Sequence, residues 1–328
     1  MPAKPKVFVT LPVDESVLDL LRTRCQIEIY PEETAIPPEE LARVCREQEI
    51  EGLVTIGARI TKEFLQQAAK LRAIALMSVG FDNVDLAACT GRRIPVSNSR
   101  GSLEETTADL AFALILAVAR RVPEADRYVR EGQWTQWRWS TLWGADVYGK
   151  TLGIIGLGHI GRLVARRATG FSMRILYDTS QRVDEAVERE LGAVRADREQ
   201  LLRESDFVSL HVPLTPETER MITARELGLM KPSAFLINTA RGRVVDEAAL
   251  AEALKAGRIA GAALDVFEHE PKVHPELLRM PNVVLLPHIG SGTGECRTRM
   301  ARTAAENLLA ALRGERPPNI INPEVFDS

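Results

Sequence analysis

Three side chains follow short apolar runs in the C-terminal half of the chain. Arg241 lies in Asn238-Thr239-Ala240-Arg241-Gly242-Arg243. Glu270 lies in Asp265-Val266-Phe267-Glu268-His269-Glu270-Pro271, and His288 in Leu286-Pro287-His288-Ile289-Gly290-Ser291. Singly, each has an ordinary reading: a solvated arginine, an acidic turn at Glu268 and Glu270, a structural histidine. Together they fit one chemistry. Reduction of a 2-oxo acid needs a fixed cation for the carboxylate, an acid for the new hydroxyl, and a hydride donor. The arginine fork grips a carboxylate bidentately. Histidine titrates near neutrality. A carboxylate beside the imidazole orients it and stabilises its cation.

The hydride donor has its own signature. Gly156-Leu157-Gly158-His159-Ile160-Gly161 follows the strand-like run Leu152-Gly153-Ile154-Ile155 and opens a helix-compatible stretch from Arg162 to Ala168. A lone GxGxxG is weak, but between a strand and a helix it reads as a dinucleotide loop. Gly156 permits the tight turn, Gly158 lets backbone N–H groups reach a pyrophosphate, and Gly161 lets helix pack on strand. Asp178 closes the next strand, about twenty residues past Gly156, where a carboxylate accepts from ribose hydroxyls and repels a 2′-phosphate. That favours NAD over NADP. Arg182 stands against it, because a nearby arginine can accommodate the phosphate.

The other histidines compete less well. His159 lies inside the phosphate loop. His211 ends a strand, so His211-Val212-Pro213 is expected to border the cofactor, while His269 and His274 flank Pro271 and read as exposed. No pair has metal-ligand spacing with a third ligand, so no metal is expected.

The elements that would position these groups alternate, strand then helix, along almost the whole chain. Strands are predicted at 7–10, 27–30, 53–56 and 73–76, with helices at 15–24, 39–48 and 62–69 between them. A long apolar helix follows at 109–121. Further strands are predicted at 151–155, 174–177, 207–211, 234–238, 261–265 and 283–286. The alanine- and leucine-rich tail, 298–312, reads as a helix with no sheet of its own, so it is expected to return to the first unit. The pattern implies an α/β fold with parallel sheets. The substrate domain is expected to be discontinuous, 1–99 plus 290–328, with the cofactor domain, 100–289, inserted and the active cleft between them.

Composition narrows the class. The chain has 328 residues, 45% hydrophobic and 27% charged, with a net charge of -3, which gives no electrostatic reason to bind nucleic acid or an anionic membrane. Its four cysteines, Cys25, Cys45, Cys89 and Cys296, are scattered and read as reduced structural thiols. The start, Met1-Pro2-Ala3-Lys4-Pro5-Lys6, shows no apolar signal core, and the longest apolar run, 110–119, is too short to span a bilayer. A cytoplasmic protein is expected. All four tryptophans, Trp134, Trp137, Trp139 and Trp143, fall just before the nucleotide strand. They read either as a hydrophobic staple for that arm or as a dimer contact.

With Val79-Gly80-Phe81-Asp82-Asn83-Val84-Asp85, the glycine loop, Asn238–Asp246, Gly261–Pro271 and Pro287–Ser291, the chain resembles the D-isomer-specific 2-hydroxyacid dehydrogenases. It looks closest to their glyoxylate/hydroxypyruvate reductase branch, whose flavour is shared by Asp146-Val147-Tyr148-Gly149-Lys150-Thr151, Arg203-Glu204-Ser205-Asp206 and Leu308–Pro317. The resemblance implies two Rossmann-like doubly wound domains, the cofactor domain inserted in a flavodoxin-like substrate domain. It implies that Arg241 binds the substrate carboxylate and carbonyl, that His288 donates the proton, and that Glu270 holds the imidazole. Thr107, Thr239, Ala240, Asp265 and Gly290 would lie along the cofactor, and Ser78, Val79, Gly80 and Ser291 at the substrate. A homodimer through the cofactor domains is implied, with Trp134 reaching the partner's site. Asn98-Ser99-Arg100-Gly101-Ser102-Leu103 departs from the usual hinge sequence, and Thr55-Ile56-Gly57-Ala58 is shorter than in many reductases, so Arg100 and Gly57 bear on the pocket. Two alternatives remain: a phosphite dehydrogenase-like enzyme, in which a lysine would stand in place of Val79, and an NADH-sensing corepressor-like binding protein. Turnover of a 2-oxo acid separates the dehydrogenase reading from the sensor.

Overall fold

Short aliphatic strands, nearly all followed by an α-helix, build two parallel sheets in the computed structural model. It describes residues 3–327, so the Met1-Pro2 part of the leader reading lies outside the described residues. The chain divides into two units, residues 1–103 with 293–328, and residues 104–292.

The first unit runs β1 (Lys6–Val9), α1 (Glu15–Arg22), β2 (Gln26–Ile29), α2 (Pro38–Glu47), β3 (Gly52–Thr55), α3 (Lys62–Gln67), β4 (Ala73–Leu76), α4 (Leu86–Gly91) and β5 (Val96–Ser97). The strand order is β2-β1-β3-β4-β5, all parallel, the flavodoxin-like arrangement. β3 and β4 are buried at every position, as strands covered on both faces must be. Phe8, Leu53 and Ile74 pack beneath α2 and α3 on one face. On the other, Val7, Val9 and Val54 meet Val17 and Leu21 of α1 and the tail residues Ala301, Ala304, Ala305 and Leu308. A Cβ at Gly52 would lie 3.2 Å from the Leu308 side chain, so glycine there lets the tail approach β3 closely.

The second unit runs α5 (Glu104–Ala119), α6 (Val122–Arg130), β6 (Thr151–Ile155), α7 (His159–Thr169), β7 (Arg174–Asp178), α8 (Glu185–Leu191), β8 (Ala193–Arg195), α9 (Arg198–Glu204), β9 (Phe207–Leu210), α10 (Ala224–Leu229), β10 (Phe235–Asn238), α11 (Glu247–Lys255), β11 (Gly261–Leu264) and β12 (Val283–Leu285). The tail helix α12 (Gly294–Leu312) belongs to the first unit. The second sheet, β12-β11-β10-β9-β6-β7-β8, is parallel throughout and reverses its winding between β6 and β9. That switch point is where open α/β sheets take ligands. Phe207 and Phe235, paired across β9 and β10, stack with centroids 5.3 Å apart.

Several expected bounds shift. The long helix starts at Glu104 and the tail helix at Gly294, where Thr293 accepts from the Cys296 N–H. β5 and β8 carry too few residues to show a period. The division falls after 103 and 292 rather than after 99 and 289. Ser99 donates to the carbonyls of Leu76 and Met300, and Ser102 bonds Thr303 at 2.9 Å, so residues 99–102 stay with the first unit.

Candidate active site

Because every strand of the second sheet is parallel, the loops after β6, β7, β9, β10, β11 and β12 leave from one edge, and the candidate residues lie on them. At the β6 end, Gly156 has φ +98° and a Cβ there would fall 2.6 Å from the His211 carbonyl oxygen. A Cβ at Gly161 would fall 2.2 Å from the Gly156 carbonyl oxygen. The fold itself therefore demands these two glycines. Gly158 is different: its φ is -78° and a Cβ would meet nothing within 4 Å. Nothing in the protein requires glycine there, whereas a pyrophosphate drawn close to the backbone does. Helix α7 also begins without a side-chain cap, as helix starts that receive an anion do. Thr239 adds a buried hydroxyl with no partner among the described residues. These features fit a bound dinucleotide. His159 and Ile160 open α7, and His211 and Val212 pack against the Gly156 turn, with Pro213 exposed beside them. Desolvation lowers His211 to about 4 although part of its surface remains exposed, and its Nε2 lies 2.8 Å from Ser209 Oγ.

Asp178 does not stand alone at the end of β7. Its Oδ2 accepts from Arg198 Nε at 2.9 Å, a partner that sequence reading missed because α9 is remote in the chain. The suspected Arg182 is committed elsewhere, donating to Glu188 at 2.7 and 3.0 Å.

At the other end of the edge, Asn238 brackets the turn after β10. It donates to the Arg241 carbonyl at 2.9 Å and accepts from the Ala240 N–H at 3.0 Å. Gly242 then presses on the next loop, since a Cβ there would fall 1.8 Å from the Phe267 carbonyl carbon. This contact joins the Arg241 loop to the Glu270 loop. Glu268 is held by Arg220 and, through its N–H, by the buried Glu247. Glu270 accepts from the Phe267 N–H at 3.0 Å and meets His288 Nδ1 at 2.8 Å. The structure thus separates Glu268 from Glu270 and pairs Glu270 with the histidine. Desolvation pulls Glu270 upward, but the His288 hydrogen bond and charge, the Phe267 N–H and the Arg241 charge hold its carboxyl below the ordinary value.

His288 has φ +54°, sparsely populated for a non-glycine residue. Asp265 over-determines that backbone, accepting from the N–H groups of Ile289 at 2.8 Å and Gly290 at 2.7 Å. Burial raises the Asp265 carboxyl in spite of these donors and the His288 charge. A Cβ at Gly290 would lie 3.2 Å from Asp265 Oδ2 and 3.5 Å from Thr107 Cγ2, so Thr107, Asp265 and Gly290 converge, with Ser291 next in the chain. Asn238, Gly242, Glu247 and Arg220 were not singled out in the sequence.

In the first unit, Ser78-Val79-Gly80 leaves β4. Their carbonyls are tied back: Ser78 O accepts from the Ser99 N–H, Val79 O from Asn98 and Gly80 O from Ser78 Oγ. The N–H groups of Val79 and Gly80 have no acceptor among the described residues.

Two sequence readings need correction. The tryptophans do not staple their arm to the core: Trp134 is 57% exposed and Trp139 78%. His274 is only partly exposed, and its Nδ1 is buried without a partner among the described residues, because it sits in the turn before the buried Leu277. Among the described residues no group of three or more His, Cys, Asp or Glu could hold a metal, and no helix is long and apolar enough to cross a membrane.

The model of the D-isomer specific 2-hydroxyacid dehydrogenase NAD binding domain matches residues 112–290. A glyoxylate reductase from Thermococcus litoralis is 50% identical over 99% of each chain. A Thermus thermophilus protein of known structure is 43% identical with a TM-score of 0.89, covering 96% of this chain and 99% of its own. An NADPH-dependent glyoxylate/hydroxypyruvate reductase from Sinorhizobium meliloti, solved with NADP and malonate, is 31% identical with a TM-score of 0.88, covering 99% and 98%. A dinucleotide-compatible glycine loop and a His–Glu pair on one sheet edge, with these likenesses over the full length, make one assignment: the chain belongs to the D-isomer specific 2-hydroxyacid dehydrogenases and is an oxidoreductase.

Proposed function

We propose that this enzyme reduces a small 2-oxo acid, glyoxylate or hydroxypyruvate, to the corresponding 2-hydroxy acid at the expense of NADH. The observation that carries the reading is the 2.8 Å His288–Glu270 pair, held on the same sheet edge as the glycine loop. The bound nicotinamide supplies the hydride equivalent that reduces the carbonyl carbon. Arg241 grips the substrate carboxylate and polarises the carbonyl. With Nδ1 on Glu270, His288 presents Nε2 to the carbonyl oxygen and delivers the proton there. Glu270 fixes the ring and stabilises its cationic form. Gly158 and the start of α7 hold the pyrophosphate, Thr239, Ala240 and Thr107 line the cofactor, and Asp178 takes the ribose hydroxyls, so NADH is preferred to NADPH. Glyoxylate is chosen because the Thermococcus litoralis relative is named for it.

The enzyme works as a cytoplasmic homodimer through the second unit. Four tryptophans are exposed, as are Val122 and Val129 of α6 and Tyr148, large apolar side chains of the kind that a second copy covers. Trp134 then approaches the partner's substrate. NADH oxidation with glyoxylate, hydroxypyruvate or pyruvate tests the proposal: turnover is expected with at least one of the first two. Cofactor binding without turnover of any 2-oxo acid would overturn it in favour of a sensor.

A further inference from the structure

The adenosine end of the nucleotide edge holds an ion pair that the reaction itself does not use. Strands β7 and β8 run parallel, so both end on the ligand edge, and the short turn after β8 brings Arg198, the first residue of α9, to that same edge. Arg198 Nε donates to Asp178 Oδ2 at 2.9 Å. The Arg198 side chain is 42% exposed, that of Asp178 19%. Only Nε is engaged; among the described residues no acceptor meets the two terminal nitrogens of the guanidinium. Arg182, by contrast, spends both Nε and Nη2 on Glu188, which also accepts from the Tyr177 hydroxyl.

We propose that Arg198 is a specificity-determining residue: paired with Asp178, it offers a cation to the adenosine 2′-position, so that the site takes NADPH as a second cofactor beside NADH. The inference rests on reading the glycine loop as a dinucleotide site. An unpaired carboxylate at the end of β7 repels a 2′-phosphate, which carries about -1.5 to -2 charges at neutral pH. A guanidinium already hydrogen-bonded to that carboxylate offsets its charge and leaves two N–H-bearing nitrogens with no acceptor among the described residues, donors of the kind that suit phosphate oxygens. Asp178 keeps its other oxygen for a ribose hydroxyl. The single pair therefore serves both cofactors, with selectivity set by how Arg198 divides itself between carboxylate and phosphate.

Titration calorimetry with 5′-AMP and adenosine 2′,5′-bisphosphate reads this without any turnover. The wild-type protein is expected to bind the bisphosphate no more than tenfold more weakly than 5′-AMP. Arg198→Leu is expected to shift the affinity ratio at least tenfold against the bisphosphate, with Arg198→Lys in between because it keeps charge but not the fork. Arg182→Leu is expected to leave the ratio within twofold. A ratio within twofold of wild type in Arg198→Leu overturns the proposal, as does a wild-type protein that binds 5′-AMP but not the bisphosphate. Failure of wild type to bind either fragment would remove the dinucleotide reading itself and the proposal with it. Absence of 2-oxo acid turnover with both fragments still bound would touch only the catalytic reading.

Discussion

The two halves of the ligand edge are built on different principles. At β6 and β7 the shape comes mostly from one short stretch: three glycines within six residues, a helix start and the carboxylate ending the next strand. At β10, β11 and β12 it is assembled across the chain. Gly242 abuts Phe267, Glu247 holds the Glu268 N–H, and Asp265 clamps the backbone after His288. The contrast teaches that a binding loop can be written in a few adjacent residues. The site proposed for proton transfer draws instead on carboxylates that fix other loops' backbones, because a catalytic imidazole must be held to within a fraction of an ångström.

The contrast can be broken first at the two glycines that differ most. Gly242→Ala drives a Cβ into the Phe267 backbone. It is expected to cost at least about 3 kcal/mol, or about 6–12 °C in Tm, and to abolish activity. A Tm within 2 °C of wild type would show that the loops are not coupled there. Glu270→Gln removes the charge from the histidine pair and is expected to lower kcat roughly 10- to 1000-fold while NADH still binds, as followed by steady-state kinetics and fluorescence titration. An unaffected kcat would leave Glu270 a merely structural acid. Gly158→Ala is expected to weaken NADH binding by about tenfold with little change in Tm, since a methyl there meets no protein atom but crowds a pyrophosphate. A destabilised protein with normal NADH affinity would reverse the assignment.

The smallest effect lies between the halves, at His211 after β9. Its folded-state value, about 4, lies below the ordinary 6.5, so the folded chain binds fewer protons than the unfolded chain between those limits. The stability that follows is fully present above pH 6.5 and is lost as pH falls through 4. The loss amounts to about 3 kcal/mol at most. Thermal melts of His211→Asn across that window are expected to show a flatter decline than wild type; parallel curves would mean that His211 protonates freely in the folded state.

The sequence made the alternation of strand and helix plain because buried parallel strands such as β3, β4 and β9 are unbroken aliphatic runs. It concealed β5 and β8, which are two and three residues long. Arg241, Glu270 and His288 were legible from residue type and from their place after strands. Arg198 was not, because its partner Asp178 lies on a different strand end and nothing local marks an ion pair. Nor does the sequence show that Arg220 takes up Glu268, since the two lie 48 residues apart. The tryptophan arm showed its composition but not its exposure, since both a staple and an interface call for the same residues.

The most direct measurement is on His288→Ala, with NADH binding by fluorescence and glyoxylate-dependent NADH oxidation followed on the same preparation. If the edge divides into a binding half and a proton-transfer half, NADH affinity stays close to wild type while turnover falls about 10²- to 10⁴-fold. Turnover within a few-fold of wild type would contradict the account.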